Sequence, residues 1–231
     1  MHLVRKLVFA ASVALILLPG RAAFAADDLQ SVLHKLDQAA AGFRSASADF
    51  EFDSVTTEPV ADKTIQKGTI YYERKGKTFK MGIHIREENG QPVPKVVIAS
   101  GGTVKLYEKL TDQVTTFAKA GKFESYAMLG FGASGKDLTK MWNITDQGSE
   151  VVNGVKTEKL ELVAKDPQVV KQFPKVTIWV DPERGVTLKQ VLDEGPGQYR
   201  VAVYFNIKVN QRLPGDAFSF KTDKETRYVT Q

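Results

Sequence analysis

The chain contains no cysteine among its 231 residues. That excludes disulfide bridges, thiol nucleophiles and cysteine metal sites, and leaves packing alone to hold the fold. Histidine is nearly as scarce. Beyond the first 25 residues only His34 and His84 remain, too little for a histidine-based triad or a zinc site. No S-x-x-K motif occurs, and the carboxylates, as in Asp27-Asp28 and Glu87-Glu88, are scattered with no pair that stands out for acid–base work. A surplus of one charge is missing too. Lys and Arg total 32 against 27 Asp and Glu; Arg5, Lys6 and Arg21 fall in residues 1–25 with no acid, leaving 29 against 27, a net +2. Such a balance argues against nucleic-acid binding.

What is present begins with a leader. Arg5 and Lys6 form a positive head, Leu7 to Leu18 an apolar run, Pro19 and Gly20 a break, and Ala23-Phe24-Ala25 a small-x-small site. The run is too short for an ordinary membrane-spanning helix. The pattern predicts an export signal over residues 1–25, cleaved near Ala25, and a periplasmic domain over residues 26–231. With no cysteine at the cut, no lipid anchor is expected.

Leu29, Val32, Leu33, Leu36, Ala40 and Phe43 recur at helical steps of three and four. From residue 46 the period becomes two, with Ala46, Ala48, Phe50 and Phe52 on one side of a strand. Further strands follow: Ile70, Tyr72 and Arg74 on one face, then Phe79, Met81, Ile83 and Ile85, then Val96 to Ala99. Gly101-Gly102 predicts a hairpin turn. Later alternations run through Leu160 and Leu162, through Val176, Ile178 and Val180, and through Tyr199, Val201, Val203, Phe205, Ile207 and Val209. Short connections require antiparallel pairing, and one apolar face per strand implies one covered side.

The expectation is an α+β, mainly β, domain built on a curved sheet of about ten or eleven strands. The helix available to cover it is small: the leading helix, and a short one capped by Ser134 that contains Asp137, Leu138, Met141 and Trp142. Such a sheet either packs tightly on itself or leaves a cavity lined by Phe, Tyr, Met and Ile.

Two features interrupt the pattern. Gly130-x-Gly132-x-x-Gly135 has the form of a dinucleotide fingerprint, but no strand precedes it and no βαβ unit surrounds it, so a lid or connection is expected. Arg74 continues the apolar row of Ile70 and Tyr72. It is either a strand-end arginine in water or a guanidinium over an apolar cavity, satisfied by backbone carbonyls of residues 126–133.

Several segments together resemble the LolA family, periplasmic carriers of outer-membrane lipoproteins. They are the Leu29-x-x-x-Leu33 helix leading to Ala48-Asp49-Phe50, and Gly68-Thr69-Ile70-Tyr71-Tyr72-Glu73-Arg74 followed by Phe79 and Met81. Gly102 to Tyr107 with Asp112 to Thr115, Met128-Leu129, and Phe218-Ser219-Phe220 as a C-terminal strand complete the set. The resemblance implies an incomplete antiparallel β-barrel with helices as a lid over an apolar cavity, and no catalysis, cofactor or metal. It implies a monomer that takes acylated lipoproteins as cargo from an inner-membrane lipoprotein-releasing ABC transporter to an outer-membrane acceptor lipoprotein. Leu33, Phe50, Phe52, Ile70, Tyr72, Phe79, Met81, Met128 and Leu129 would line the cavity, with Arg74 as a latch to the lid. Lys75, where the family usually has proline, and the 53–66 connection depart from the family, and the Asp181 to Gly185 turn with Leu188-Lys189-Gln190 resembles only the broader LolA-like group. A lipid or lipoprotein sensor with a regulatory partner, and a carrier of non-protein lipid, are therefore kept as alternatives.

Overall fold

The change of period at residue 46 is realised as a helix running straight into a strand: α1 (Leu29–Gly42) into β1 (Ser45–Thr56). The computed structural model describes residues 28–76, 78–118 and 129–231, so the export signal at 1–25 and Met128 lie outside the described residues. After β1 come β2 (Asp62–Lys75), β3 (Thr78–Glu88), β4 (Gln91–Ser100), β5 (Thr103–Glu108) and β6 (Gln113–Phe117). Then follow α2 (Gly135–Met141), β7 (Trp142–Val152), β8 (Val155–Ala164), α3 (Pro167–Gln172), β9 (Lys175–Asp181), β10 (Val186–Gly195), β11 (Gln198–Val209) and β12 (Arg227–Thr230). Ser134 caps α2, its Oγ accepting from the Asp137 amide at 3.0 Å. Trp142, read as the end of that helix, instead opens β7. Asp166 caps α3 in the same way, with Pro167 in the first turn where no amide donor is needed.

The strands form one 12-stranded sheet in the order β12-β6-β5-β4-β3-β2-β1-β11-β10-β9-β8-β7. Every neighbouring pair is antiparallel except β12, which lies parallel to β6. The sheet is curved and open rather than closed into a barrel. Its registers carry one apolar face across the centre: Phe52 opposite Ala202, Ala202 opposite Gln190, Gln190 opposite Ile178, and Ile178 opposite Leu160.

That face supports two clusters. One packs the helices against the β7–β10 end: Val32 and Leu36 of α1, Leu138 of α2 and Val169 of α3 meet Leu160, Leu162 and Ile178. The other runs over β1–β4, β10 and β11 and includes Phe50, Ile70, Tyr72, Met81 and Tyr204. Helix covers the first cluster, and the second is where space remains.

Two readings change here. The row Tyr199 to Val209 does not share a face. Asn206 takes a left-handed conformation (φ 53°) where the β1–β11 register slips. One extra residue moves every later side chain to the opposite face. Ile207 and Val209 therefore pack against the core while Phe205 is left exposed, and before the slip Ala202 and Tyr204 point inward. Phe218-Ser219-Phe220 is not a strand either. It belongs to a strap over the outer face, where Gly82 lets the Ala217 carbonyl lie on β3 and Phe220 stacks on Tyr107 with ring centroids 5.0 Å apart.

Candidate functional site

The part of the inner face that the described helices leave uncovered holds a cavity of about 430 Å³. Phe50 and Phe52 of β1, Ile70 and Tyr72 of β2 and Met81 of β3 form one wall; Ala202 and Tyr204 of β11 form the other, and Phe173 stands at the end of α3. Small residues create the space. Gly68 is paired with Phe50 and Ala202 with Phe52, so each large ring faces a position with little or no side chain. The volume falls in the range of sites that enclose one small apolar ligand.

The segment 129–133 closes one end. Phe131 is 1% exposed, its ring centroid 4.5 Å from that of Tyr72 and 5.3 Å from that of Tyr204. The segment is tied to β10 and the turn before it. The Gly132 amide donates to the Gly185 carbonyl at 2.9 Å, the Thr187 amide to the Gly130 carbonyl at 2.8 Å, and the Thr187 hydroxyl to the Leu129 carbonyl at 2.7 Å. On the other side Arg74 Nη2 donates to the Gly132 carbonyl at 2.8 Å, and its guanidinium carbon lies 5.8 Å from the Phe43 ring centroid. A half-buried charge is thus satisfied by a lid carbonyl and an aromatic ring.

The glycine motif explains itself in this setting. Gly132 is left-handed (φ 69°) with the Phe43 ring where a Cβ would be, and Gly135 rests on the Leu33 carbonyl of α1. These glycines are close-packing positions with no phosphate cradle between them.

Of the residues read from the sequence, Phe50, Phe52, Ile70, Tyr72 and Met81 stand together in the cavity wall. Phe79 lies behind them against Tyr72, ring centroids 5.6 Å apart. Leu33 is buried on α1 beneath α2, and Leu129 belongs to the helix-covered cluster; neither is in the wall. Arg74 stands beside the lid segment rather than in the wall. Tyr204, Ala202, Gln190 and Phe173 are wall residues that the sequence reading does not reach. Among the described residues no group of three His, Asp or Glu side chains is placed to hold a metal, and no helix is long and apolar enough to cross a membrane.

An open, curved antiparallel sheet with few helices and an apolar inner cavity defines a LolA-like fold. The family model for outer membrane lipoprotein carrier protein LolA matches residues 41–221, most of the chain, and the chain belongs to that family. It is 26% identical over 125 residues to the uncharacterized protein MJ0687 of Methanocaldococcus jannaschii, a match covering 54% of this chain and 35% of that one. The chain therefore spans about a third of the length of the curated relative it matches. Among solved structures, an uncharacterized conserved protein from Thermus thermophilus superposes with a TM-score of 0.53 at 11% identity, over 87% of this chain and 98% of that one. The MucA/MucB complex of Pseudomonas aeruginosa gives 0.50 at 14% identity, over 84% and 61%. At those identities the likeness is one of fold.

Proposed function

We propose that this protein is a non-enzymatic periplasmic carrier that shields the acyl chains of lipoproteins in the cavity between β1–β3 and β10–β11. It would receive them from an inner-membrane ABC transporter and pass them to an outer-membrane acceptor lipoprotein. The observation that carries this reading is the cavity itself: about 430 Å³ of Phe, Ile, Met and Tyr wall, closed at one end by a segment that Arg74 holds. Family membership supports the same class of ligand.

The magnitudes suit capture and release. Burying one methylene gains about 0.8 kcal/mol. The bond from Arg74 to the lid is worth about 1.5–3 kcal/mol at most, as a hydrogen bond from a charged group. Two to four methylenes entering the cavity therefore offset the loss of the latch. A single chain suits the cavity at this size, so a ligand with more chains must displace Phe131 and break the Arg74 bond. The latch then makes loading and transfer conditional on each other.

The test pairs two variants. Ala202→Trp fills the floor of the cavity and is expected to lower binding of a fluorescent triacylated lipopeptide at least tenfold. Arg74→Leu, which has no latch bond to break on loading, is expected to bind the lipopeptide at least as tightly as the parent but to deliver it poorly to acceptor-containing liposomes. Unchanged binding in the first and equal delivery in the second would remove the carrier reading.

A further inference from the structure

The cavity wall is not wholly apolar: Gln66, Gln172 and Arg200 line it, and a second polar group stands near segment 129–133. Tyr72, Tyr204 and Gln190 all line the cavity, and they are only 2%, 7% and 7% exposed. Among the described residues, neither tyrosine hydroxyl nor the Gln190 amide has a hydrogen-bond partner in the protein, and none is sealed away from the cavity space. Tyr72 and Gln190 converge on one spot, and the Tyr204 ring stands beside it against Phe131. The two tyrosine rings flank Phe131, and the point where a Gly130 Cβ would stand is 3.0 Å from the Tyr72 hydroxyl and 3.6 Å from Gln190 Nε2.

A hydroxyl or amide that faces an apolar cavity without a protein partner has to be paired by water or by a ligand. Phe, Phe and Leu would fill the same space without that requirement. The polar groups are also uncharged. Burial pushes the hydroxyl pKa of both tyrosines upward, so they stay protonated and able to donate. The cations nearby are committed elsewhere: Arg74 to Gly132, and Arg200 to Glu194 at 2.9 Å. A charged ligand group at this spot would lack a counter-charge, whereas a carbonyl needs only donors.

We infer that the ligand of this cavity carries an uncharged carbonyl, of the acyl-ester class, that docks on Tyr72, Tyr204 and Gln190 while its hydrocarbon chain lies along Ile70, Ile83 and Phe50. The inference rests on the reading of the cavity as an acyl-chain site, and it adds an orientation and a chemical preference to it. Ester-linked acyl chains occur both on lipoproteins and in free acylglycerols, and the chemistry of the spot is the same for both.

The experiment uses the intact protein and two probes of equal chain length, methyl laurate and tetradecane, each titrated against a bound fluorescent apolar dye. The parent is expected to bind the ester about tenfold more tightly than the alkane, the ratio one well-made hydrogen bond provides. The Tyr72→Phe/Tyr204→Phe variant, which keeps both rings, is expected to lose the preference, its ester-to-alkane affinity ratio falling to about one. Equal binding of the two probes by the parent, or an undiminished preference in the variant, would overturn the inference while leaving the acyl-chain reading in place. Binding of neither probe would remove both. Displacement of methyl laurate by a diacylglyceryl-cysteinyl peptide or by diacylglycerol supports the inference and tells lipoprotein from free lipid; displacement by neither contradicts it.

Discussion

Gly132 and Arg74 meet across a single hydrogen bond, and each depends on a neighbour chosen for size. At Gly132 a Cβ would fall 2.4 Å from the Phe43 ring, on a backbone with φ 69°. Gly132→Ala is therefore expected to cost about 2 kcal/mol or more, from left-handed strain together with the clash. A matching drop in the urea midpoint would check it, and Gly130→Ala, with normal φ, is expected to cost less. The contact of Arg74 with the lid carbonyl was legible because this residue continues the Ile70-Tyr72 row, so its charge had to find acceptors near an apolar face. The place of Tyr204 was not. The slip at Asn206 exchanges the two faces of β11, and a period of two cannot announce where it will be interrupted. Asn tolerates left-handed conformations better than most residues, which is the weak signal that was there.

Among elements, the outer face is organised by contacts that the alternation hides. Gly82 of β3 looks like a polar-side position of an ordinary strand, yet a Cβ there would stand 1.9 Å from the Ala217 carbonyl. Gly82→Ala is expected to lift the strap from β3–β5, raise amide exchange around residues 214–221 and leave lipopeptide binding on the inner face unchanged. Across β7–β9, Glu150 accepts from Lys159 Nζ at 2.8 Å and from Trp179 Nε1 at 2.6 Å. The Lys159 bond first, and the Trp179 bond second, hold its carboxyl below the usual glutamate range. A folded pKa below the unfolded one gives a stabilisation present above the ordinary glutamate value and lost as pH falls through the folded value. The side chain is 47% exposed, so the effect should stay below about 1 kcal/mol. Urea midpoints from pH 6 down to pH 3 should fall less steeply in Glu150→Gln than in the parent.

Turns divided along the same line. Gly101-Gly102 was readable as a hairpin, and both residues are left-handed as a two-residue turn requires. Asn89-Gly90 and Asn153-Gly154 take the same form and join β3 to β4 and β7 to β8. Their sequences offered the same signal. The reading of residues 96–99 as a short strand stops short of β4, which begins at Gln91. Pro92 and Pro94 argue against a strand, but they lie beyond the stretch registered with β5, where the last bond, from the Lys109 amide to the Pro94 carbonyl at 3.2 Å, asks no amide of the proline.

At the scale of the whole molecule, the sheet is larger than the helices among the described residues can cover. The balance of strand against helix made that legible, but it left a packed core and a cavity as equal outcomes. The structure contains both. Helices α1, α2 and α3 pack the β7–β10 end into a core, and the cavity opens over β1–β3 and β11 where that cover stops. One helix of that cover, α3, is six residues long and too short to announce itself by period. The open sheet leaves β7 and β12 as edges, and the cavity region stands on the apolar inner face between them.

The central claim is that an acyl chain occupies that region. A lipopeptide bearing a photoreactive group on its acyl chain, cross-linked to the purified protein and mapped by mass spectrometry, tests it most directly. Adducts are predicted on wall residues such as Phe50, Ile70, Met81 and Tyr204, and should disappear in Ala202→Trp. Adducts confined to the outer face, around Phe205 or the strap, or adducts in the wall that Ala202→Trp does not diminish, would contradict the account.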